Sequence, residues 1–281
     1  DNVTQGKRQV GTTFKPFVYA LAMQDGNFYP CSEVPNTQVC FEIPRQPDWC
    51  PKNSGKAREG EMVTLKWALA NSVNYVTAYL MKLSSPKHVI ELVRKLGVTS
   101  PIDPVPSICL GTADISVYEM TGALSAFANK GEYIRPIFLT KIEDNKGIVL
   151  ERFVPERNEA LNEKTAYLML ELMKGVVESG TGVRLRYKYG LNYPIAGKTG
   201  TTDDHSDGWF IGLTPKLATG VWVGGEYRSI HFRSMAVGQA TSTELPVWAL
   251  FMKRVYDDKS VDFYRGDFER TALPVDRPLY K

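Results

Sequence analysis

The sequence predicts an α+β domain in which an antiparallel sheet is flanked by helices and preceded by a mainly helical lobe. Three observations carry that prediction. Segments with helical spacing of apolar residues dominate the first half, three short β-rich segments follow one another between residues 195 and 223, and a last helical stretch comes after them. A chain of 281 residues can bury a large core, and 43% hydrophobic against 23% charged residues is a globular composition. A net charge of +3 without any Lys/Arg block gives no electrostatic footprint for nucleic acid. No apolar run approaches the roughly 20 residues that span a bilayer, and Asp1–Gly6 lacks a charged-then-apolar signal pattern.

In chain order, Thr12 to Met23 has helical composition, with Phe17, Val18, Leu21 and Ala22 facing a core and Gly26 as a stop. Val63–Ser72 and Tyr75–Leu83 are two further helices with Ser72–Asn74 in their connection. Ser85 followed by Pro86 is an N-cap with proline at the first helical position, opening a helix through Leu96 that Gly97 ends. Ser116-Val117-Tyr118-Glu119 is a capping box for a helix to Asn129. Tyr133–Lys141 and Ile148–Phe153, joined by Asn145-Lys146-Gly147, predict a hairpin. Asn162–Glu178 is a long amphipathic helix closed by Ser179-Gly180-Thr181-Gly182. The pattern then changes to strands at 195–202, 208–213 and 217–223, and Pro246–Tyr256 forms a last helix that packs Trp248, Leu250, Phe251 and Val255 on the sheet. The helical lobe is expected at about 11–180 and the sheet-forming part at about 190–256, within one domain spanning 1–281.

Three of the four cysteines, Cys31, Cys40 and Cys50, crowd into the segment 27–60, which is rich in Pro, Asn and Gln and has neither helical nor strand period. It reads as an excursion tied down by a disulfide, with Cys31–Cys40 as the first pairing and Cys40–Cys50 as the second, free thiols being the alternative. Cys109 stands alone. No close Cys-x-x-Cys pair exists, so no metal site is expected, and no motif calls for a cofactor.

Three short motifs carry the chemistry: Thr12-Thr13-Phe14-Lys15, Ser72-Val73-Asn74 and Lys198-Thr199-Gly200. Each alone is weak, and all three in this order define an acyl-transfer site. A hydroxyl three residues before a lysine at a helix start puts Thr12 and Lys15 on one face, where a neutral amine takes the hydroxyl proton. Desolvation and the like charge of Lys198 would depress the Lys15 pKa. Ser72 can relay a proton to the leaving amine, and Asn74 can hold Lys15 and a substrate amide. The backbone N–H groups of Thr12 and Thr201 can converge on a developing oxyanion. The Thr199 and Thr201 hydroxyls with Lys198 suit a carboxylate, and Gly197 and Gly200 let a substrate backbone approach the strand.

These motifs, the context Arg8-Gln9-Val10-Gly11-Thr12-Thr13-Phe14-Lys15-Pro16-Phe17, and the runs Ala68–Asn74, Leu110–Thr112, Ala126–Gly131 and Asp207–Gly212 resemble the transpeptidase domain of class A, bifunctional penicillin-binding proteins over roughly residues 1–255. The resemblance implies the serine β-lactamase/transpeptidase fold and a D,D-transpeptidase that cross-links peptidoglycan stem peptides ending in D-Ala-D-Ala and is acylated by β-lactams. It further implies a longer, membrane-anchored parent with this domain on the extracytoplasmic, periplasmic face. Two departures stand out. Strands that usually precede the nucleophile are not in this chain, and Thr12 occupies the place of the nucleophilic serine.

A β-branched nucleophile restricts χ1 and adds a methyl group where substrate or Lys15 should pack. Three readings of Thr12 follow: a working threonine nucleophile, a serine replaced to disable or trap the enzyme, or a domain that binds stem peptide or β-lactam without turnover, as a sensor would. A D,D-carboxypeptidase shares the same motifs. A class A β-lactamase also needs Glu in a Glu-x-x-Leu-Asn run; here the place before Leu161-Asn162 is Asn158, with Glu159 out of register, so β-lactam hydrolysis is expected to be slow. His205, in a loop of small polar residues, is read as solvated rather than catalytic, Trp209 and Phe210 as core, and Tyr187, Tyr189, Tyr193 and Tyr227 as structural.

Overall fold

A computed structural model describes residues 1–202 and 204–272; residues 203 and 273–281, within the span expected for the domain, lie outside it. The chain begins with β1 (Lys7–Gln9), a 3-10 turn at Gly11–Phe14, α1 (Lys15–Gln24), β2 (Glu33–Pro35) and β3 (Met62–Thr64). Next come α2 (Leu65–Ala70), α3 (Asn74–Leu83), α4 (Pro86–Lys95), β4 (Asp114–Ser116) and α5 (Val117–Ala128). Four short strands, β5 (Glu132–Ile134), β6 (Lys141–Glu143), β7 (Val149–Arg152) and β8 (Arg157–Glu159), precede α6 (Glu163–Glu178) and α7 (Arg184–Tyr187). The chain continues through β9 (Ala196–Thr201), β10 (Asp207–Leu213), β11 (Ala218–Gly224), α8 (Met235–Gly238) and α9 (Glu244–Asp257).

The last three strands form an antiparallel sheet in the order β11-β10-β9, with Trp209 opposite Gly200 and Ile211 opposite Lys198. Alternation along β10 sends its side chains to two layers. Trp209, Ile211 and Leu213 join the larger core formed by α1, α3, α5 and α6, whereas Phe210 joins a second core with α9, its ring meeting Trp248 edge-on at 5.1 Å. Such a T-shaped pair adds about 1 kcal/mol beyond the area it buries. The architecture is therefore α+β, helices on both faces of an antiparallel sheet.

Local signals placed the helix starts. Ser85 accepts from His88 N, Asn162 from Thr165 N, and Ser116 with Glu119 forms the reciprocal capping box. The expected hairpin is split. Lys141–Glu143 pairs with Val149–Arg152, but Tyr133 belongs to β5, which pairs with β8. Pro136 interrupts the run between them because it has no N–H to give a ladder.

The first disulfide pairing is corrected to the second: Cys40 bonds Cys50, and Cys31 and Cys109 are free thiols. Phe41 and Trp49 form an antiparallel bridge with two 2.9 Å N–H···O bonds, which puts the cysteines just outside them opposite one another. Cys31 instead precedes β2, whose partner is β3. The excursion is thus closed at its base by the β2–β3 pair and inside by the disulfide. His205 also differs from expectation: it is half-buried, with Nδ1 enclosed and without a partner among the described residues, rather than solvated. Trp209 and Phe210 are fully buried, Tyr193 stacks on Tyr256 at 3.7 Å, and Tyr187 and Tyr227 are exposed.

Candidate active site

The turn carrying Thr12 is held against the sheet from both ends. Upstream, Arg8 Nε donates to Asp207 Oδ1 at 2.7 Å, and Trp209 Nε1 donates to Gln9 O at 2.8 Å. Asp207 is fully buried and takes a second donor, Trp222 Nε1, at 2.9 Å. At the turn itself, strand β9 passes so close that a Cβ on Gly200 would lie 2.8 Å from Thr13 Cγ2 and 2.9 Å from Val10 O, so only glycine fits there. Thr12 sits in the 3-10 turn and Lys15 is the first residue of α1, so the hydroxyl lies one tight turn ahead of the expected α-helical start.

Thr12, Lys15, Ser72, Asn74 and Lys198 come together. Lys15 Nζ donates to Ser72 O at 2.5 Å and Asn74 Oδ1 at 2.7 Å, and lies 3.4 Å from Ser72 Oγ. Lys198 Nζ donates to Ser72 Oγ at 3.0 Å, to Thr199 O at 2.9 Å and to Thr12 Oγ1 at 3.4 Å. Ser72, at φ 54° between α2 and α3, is therefore the hydroxyl shared by both lysines. Thr12 Oγ1 donates to Thr199 O at 3.1 Å. Among the described residues, then, the hydroxyl is bonded to Lys198 and the strand, not to Lys15, the proton acceptor the motif suggests.

Both lysines are fully buried. Burial pushes the Lys15 ammonium well below the usual lysine range, and the like charge of Lys198 pushes it further. Burial brings Lys198 down to about 7. A neutral Lys15 has two N–H groups for Ser72 O and Asn74 Oδ1 and a lone pair left to accept a proton from the Ser72 side. That is the protonation state a general base requires.

The β9 edge opposite β10 carries no strand among the described residues. Thr202 N donates to Asp207 O, so by antiparallel alternation the backbone groups of Thr201 and Thr199 point away from β10. The Thr199 carbonyl does so, since it receives Thr12. The Thr201 N–H faces the same edge, on the side of Thr12. The Thr199 and Thr201 hydroxyls are engaged by Thr181 Oγ1 at 2.7 Å and by Ala240 N at 3.1 Å. A cleft of about 290 Å³ opens over this edge, lined by Thr12, Ser72, Thr199 and Thr201 on one side and by Asn53, Ser54 and Trp67 on another. Among the described residues, no Asp, Glu or His lines it. Asn158, the place a deacylating Glu would hold, lies instead on β8, its amide on Lys95 O.

Sequence reasoning missed Thr181 and Asn53. Thr181 was visible only as part of a helix stop, and Asn53 lay in a segment without period. Neither carries a local signal for a role at a site formed by residues more than 15 positions away.

Two buried lysines thus converge on hydroxyls beside an open strand edge, on an antiparallel sheet faced by helices. The penicillin-binding protein transpeptidase domain family matches residues 1–228, and the chain belongs to it. It is similar to penicillin-binding protein 1A of Aquifex aeolicus, 34% identical over 248 residues that cover 88% of this chain and 33% of the relative. It is also similar to penicillin-binding protein 2D of Bacillus subtilis, 31% identical over 90% of this chain and 36% of the relative. The chain thus spans about a third of the length of these relatives. Among solved structures, penicillin-binding protein 1A of Haemophilus influenzae superposes with a TM-score of 0.84 at 23% identity, covering 98% of this chain and 45% of that one. PonA1 of Mycobacterium tuberculosis, in complex with penicillin V, superposes with a TM-score of 0.77 at 21% identity, covering 94% and 73%. The fold is the α+β fold of these penicillin-binding proteins.

Proposed function

We propose that the domain is a peptidoglycan D,D-transpeptidase. The reading rests above all on Ser72 Oγ lying between two buried lysines beside the Thr12 hydroxyl. Thr12 Oγ1 attacks the carbonyl of the D-Ala-D-Ala peptide bond while its proton passes to neutral Lys15. The tetrahedral oxyanion is met by the N–H groups of Thr12 and Thr201. Ser72, bonded to both lysines, returns a proton to the leaving D-alanine amine as the C–N bond breaks. Asn74 holds Lys15. Thr199, Gly200 and Thr201 take the donor peptide along the strand edge, and Lys198 with the two threonine hydroxyls takes its terminal carboxylate. An amine from a neighbouring stem peptide then attacks the acyl-Thr12 ester, the C–O bond to Thr12 breaks as the cross-link amide forms, and the proton of the acceptor amine passes through the same groups to Thr12 Oγ1. β-Lactams would acylate the same hydroxyl, and because no carboxylate among the described residues lines the cleft to activate water, the adduct would be expected to persist.

A second reading is favoured by the resting position of Thr12 itself. Its hydroxyl donates to Thr199 O, and a β-branched side chain leaves that rotamer reluctantly. In that case the domain binds stem peptide or β-lactam with little turnover. A D,D-carboxypeptidase differs only in taking water as acceptor. The parent protein would carry a glycosyltransferase domain and a membrane anchor, with this domain on the periplasmic face. Among the described residues no helix is long and apolar enough to cross a membrane.

The test is intact mass spectrometry of this chain and its Thr12→Ser variant after incubation with a reporter penicillin, with peptide mapping of the adduct. An adduct on residue 12 supports the acyl-enzyme reading, and its loss in Lys15→Ala supports the base. An adduct on the serine variant alone favours binding without turnover. No adduct on either chain refutes the transpeptidase reading.

A further inference from the structure

Helix α3 begins at Asn74, and the residue that should cap it is Val73, whose side chain accepts nothing. The first N–H groups of a helix have no partner inside it. Here the partner comes from the excursion: Asn53 Oδ1 accepts from Asn74 N at 2.9 Å and from Tyr75 N at 3.1 Å. The neighbouring Lys52 carbonyl accepts from Asn74 Nδ2 at 2.7 Å. That leaves Asn74 Oδ1 turned to Lys15 Nζ. Residues 52 and 53 therefore fix both the backbone and the side-chain amide of Asn74.

Asn53 is itself held. Its Nδ2 donates to Asn36 Oδ1 at 3.0 Å, and fully buried Asn36 donates from Nδ2 to Ala57 O at 3.2 Å and Arg58 O at 2.7 Å. Each amide orientation is forced by chemistry. Asn53 Oδ1 faces two N–H donors, Asn74 Nδ2 faces a carbonyl, and Asn36 Nδ2 faces two, so no flip satisfies the set. The Cys40–Cys50 disulfide closes the loop three residues before Asn53.

We propose that Asn53 is a positioning residue for the acyl transfer: by capping α3 from a distance it holds Asn74, and through Asn74 it holds the Lys15 amine. The function of the stapled excursion is then to set the base. The inference rests on the transpeptidase reading, and the experiment separates the two.

Asn53→Ala, Asn53→Asp and the unsubstituted chain are compared by backbone amide hydrogen exchange and by the pH profile of acylation with a reporter penicillin, in the Thr12→Ser background where that is the form acylated. Asn53→Ala is expected to lose protection at the Asn74 and Tyr75 amides and to slow acylation by about tenfold or more, the scale of a small misplacement of a catalytic group. It should also move the acid limb of the profile to lower pH, because the charged form of Lys15 loses an oriented acceptor. Asn53→Asp, which keeps the acceptor but turns an oxygen toward Asn36 Oδ1 in place of the Nδ2 donor, should restore part of the protection and part of the rate lost in Asn53→Ala. Acylation within twofold of the unsubstituted chain, with amide protection intact in Asn53→Ala, overturns the proposal. So does a rate loss with no change in the pH profile. Absence of acylation in the parent chains fails the transpeptidase reading instead, and the exchange arm still decides whether Asn53 caps α3.

Discussion

Glu244 predicts a stability that falls with pH in a window where most proteins are steady. The carboxyl is fully buried at the start of α9, against Gly208 of β10, where any Cβ would overlap it. Neither oxygen has a hydrogen-bond partner among the described residues, and the adjacent Thr243 hydroxyl donates to Gln239 O instead. Burial raises the group from 4.5 to about 7. The folded protein therefore keeps a proton that the unfolded chain releases above pH 4.5. The stabilisation from that proton is fully present below 4.5 and is lost as pH rises to about 7, a loss of roughly 3 kcal/mol at 1.36 kcal/mol per pH unit. Glu119, held near 2 by its N–H and hydroxyl donors against the cost of burial, acts only below this window. Glu244→Gln keeps the shape and cannot ionise. Urea unfolding between pH 4.5 and 8 should show the stability of the parent falling relative to the variant by roughly 3 kcal/mol, the opposite contribution of the buried Lys15 and Lys198, whose pKa values are lowered, being common to both chains. Parallel slopes for the two chains would refute the assignment of a neutral buried carboxyl.

Two further predictions concern the site and its support. Lys198 is brought to about 7 by burial; if it meets the substrate carboxylate as a cation, as proposed, the second-order acylation constant, which reports the free enzyme, should fall as pH rises past 7. Lys198→Arg, which stays charged, should remove that limb even if its rate is lower, and a parent profile still climbing at pH 9 would contradict the role. Replacing both Cys40 and Cys50 by alanine opens a loop whose ends are 10 residues apart, at a cost of about 2–3 kcal/mol in the chain-entropy account. Equal urea midpoints for the two chains would show that the β2–β3 pair alone closes the excursion.

What the sequence made legible was local or strongly periodic. Ser85, Asn162 and the Ser116–Glu119 box announce their helices because a cap acts within four residues, and 196–224 announces a sheet because its strands follow one another with short turns. Hidden features depended on distance. β1 and β4 are three residues each and pair 105 or more positions apart, as Gln9 does with Asp114 at the near end and Lys7 with Ser116 at the far end, too short for period and too far for a turn signal. The Cys40–Cys50 pairing followed from the Phe41–Trp49 bridge, which no spacing rule contains. The three motifs gave the members of the site but not its wiring. That Ser72 faces both lysines, and that Asn53 caps α3, depends on a φ of 54° at Ser72 and on a loop without pattern.

The wiring bears directly on Thr12. Its Oγ1 donates to the Thr199 carbonyl and receives Lys198, so among the described residues the resting hydroxyl is bonded to the strand and not to Lys15, its proposed proton acceptor. In the proposed mechanism attack requires this hydrogen bond to be released, by rotation about Cβ–Oγ1 and, where the oxygen itself must move, about χ1. A serine has no methyl group to carry, whereas threonine must move one through a site where Lys198 already meets the hydroxyl. An off-rotamer side chain costs about 1 kcal/mol, roughly fivefold in rate, and a 1 Å misplacement of the attacking oxygen extends this toward 100-fold. Thr12→Ser should therefore acylate between about 5 and 100 times faster with a reporter penicillin, with the same pH limbs, since the lysines are untouched. The position of the limbs separates the causes: a faster variant with shifted limbs would mean that the methyl group acts by desolvating Lys15, and a variant no faster than the parent would mean that the hydroxyl of Thr12 is already free to turn.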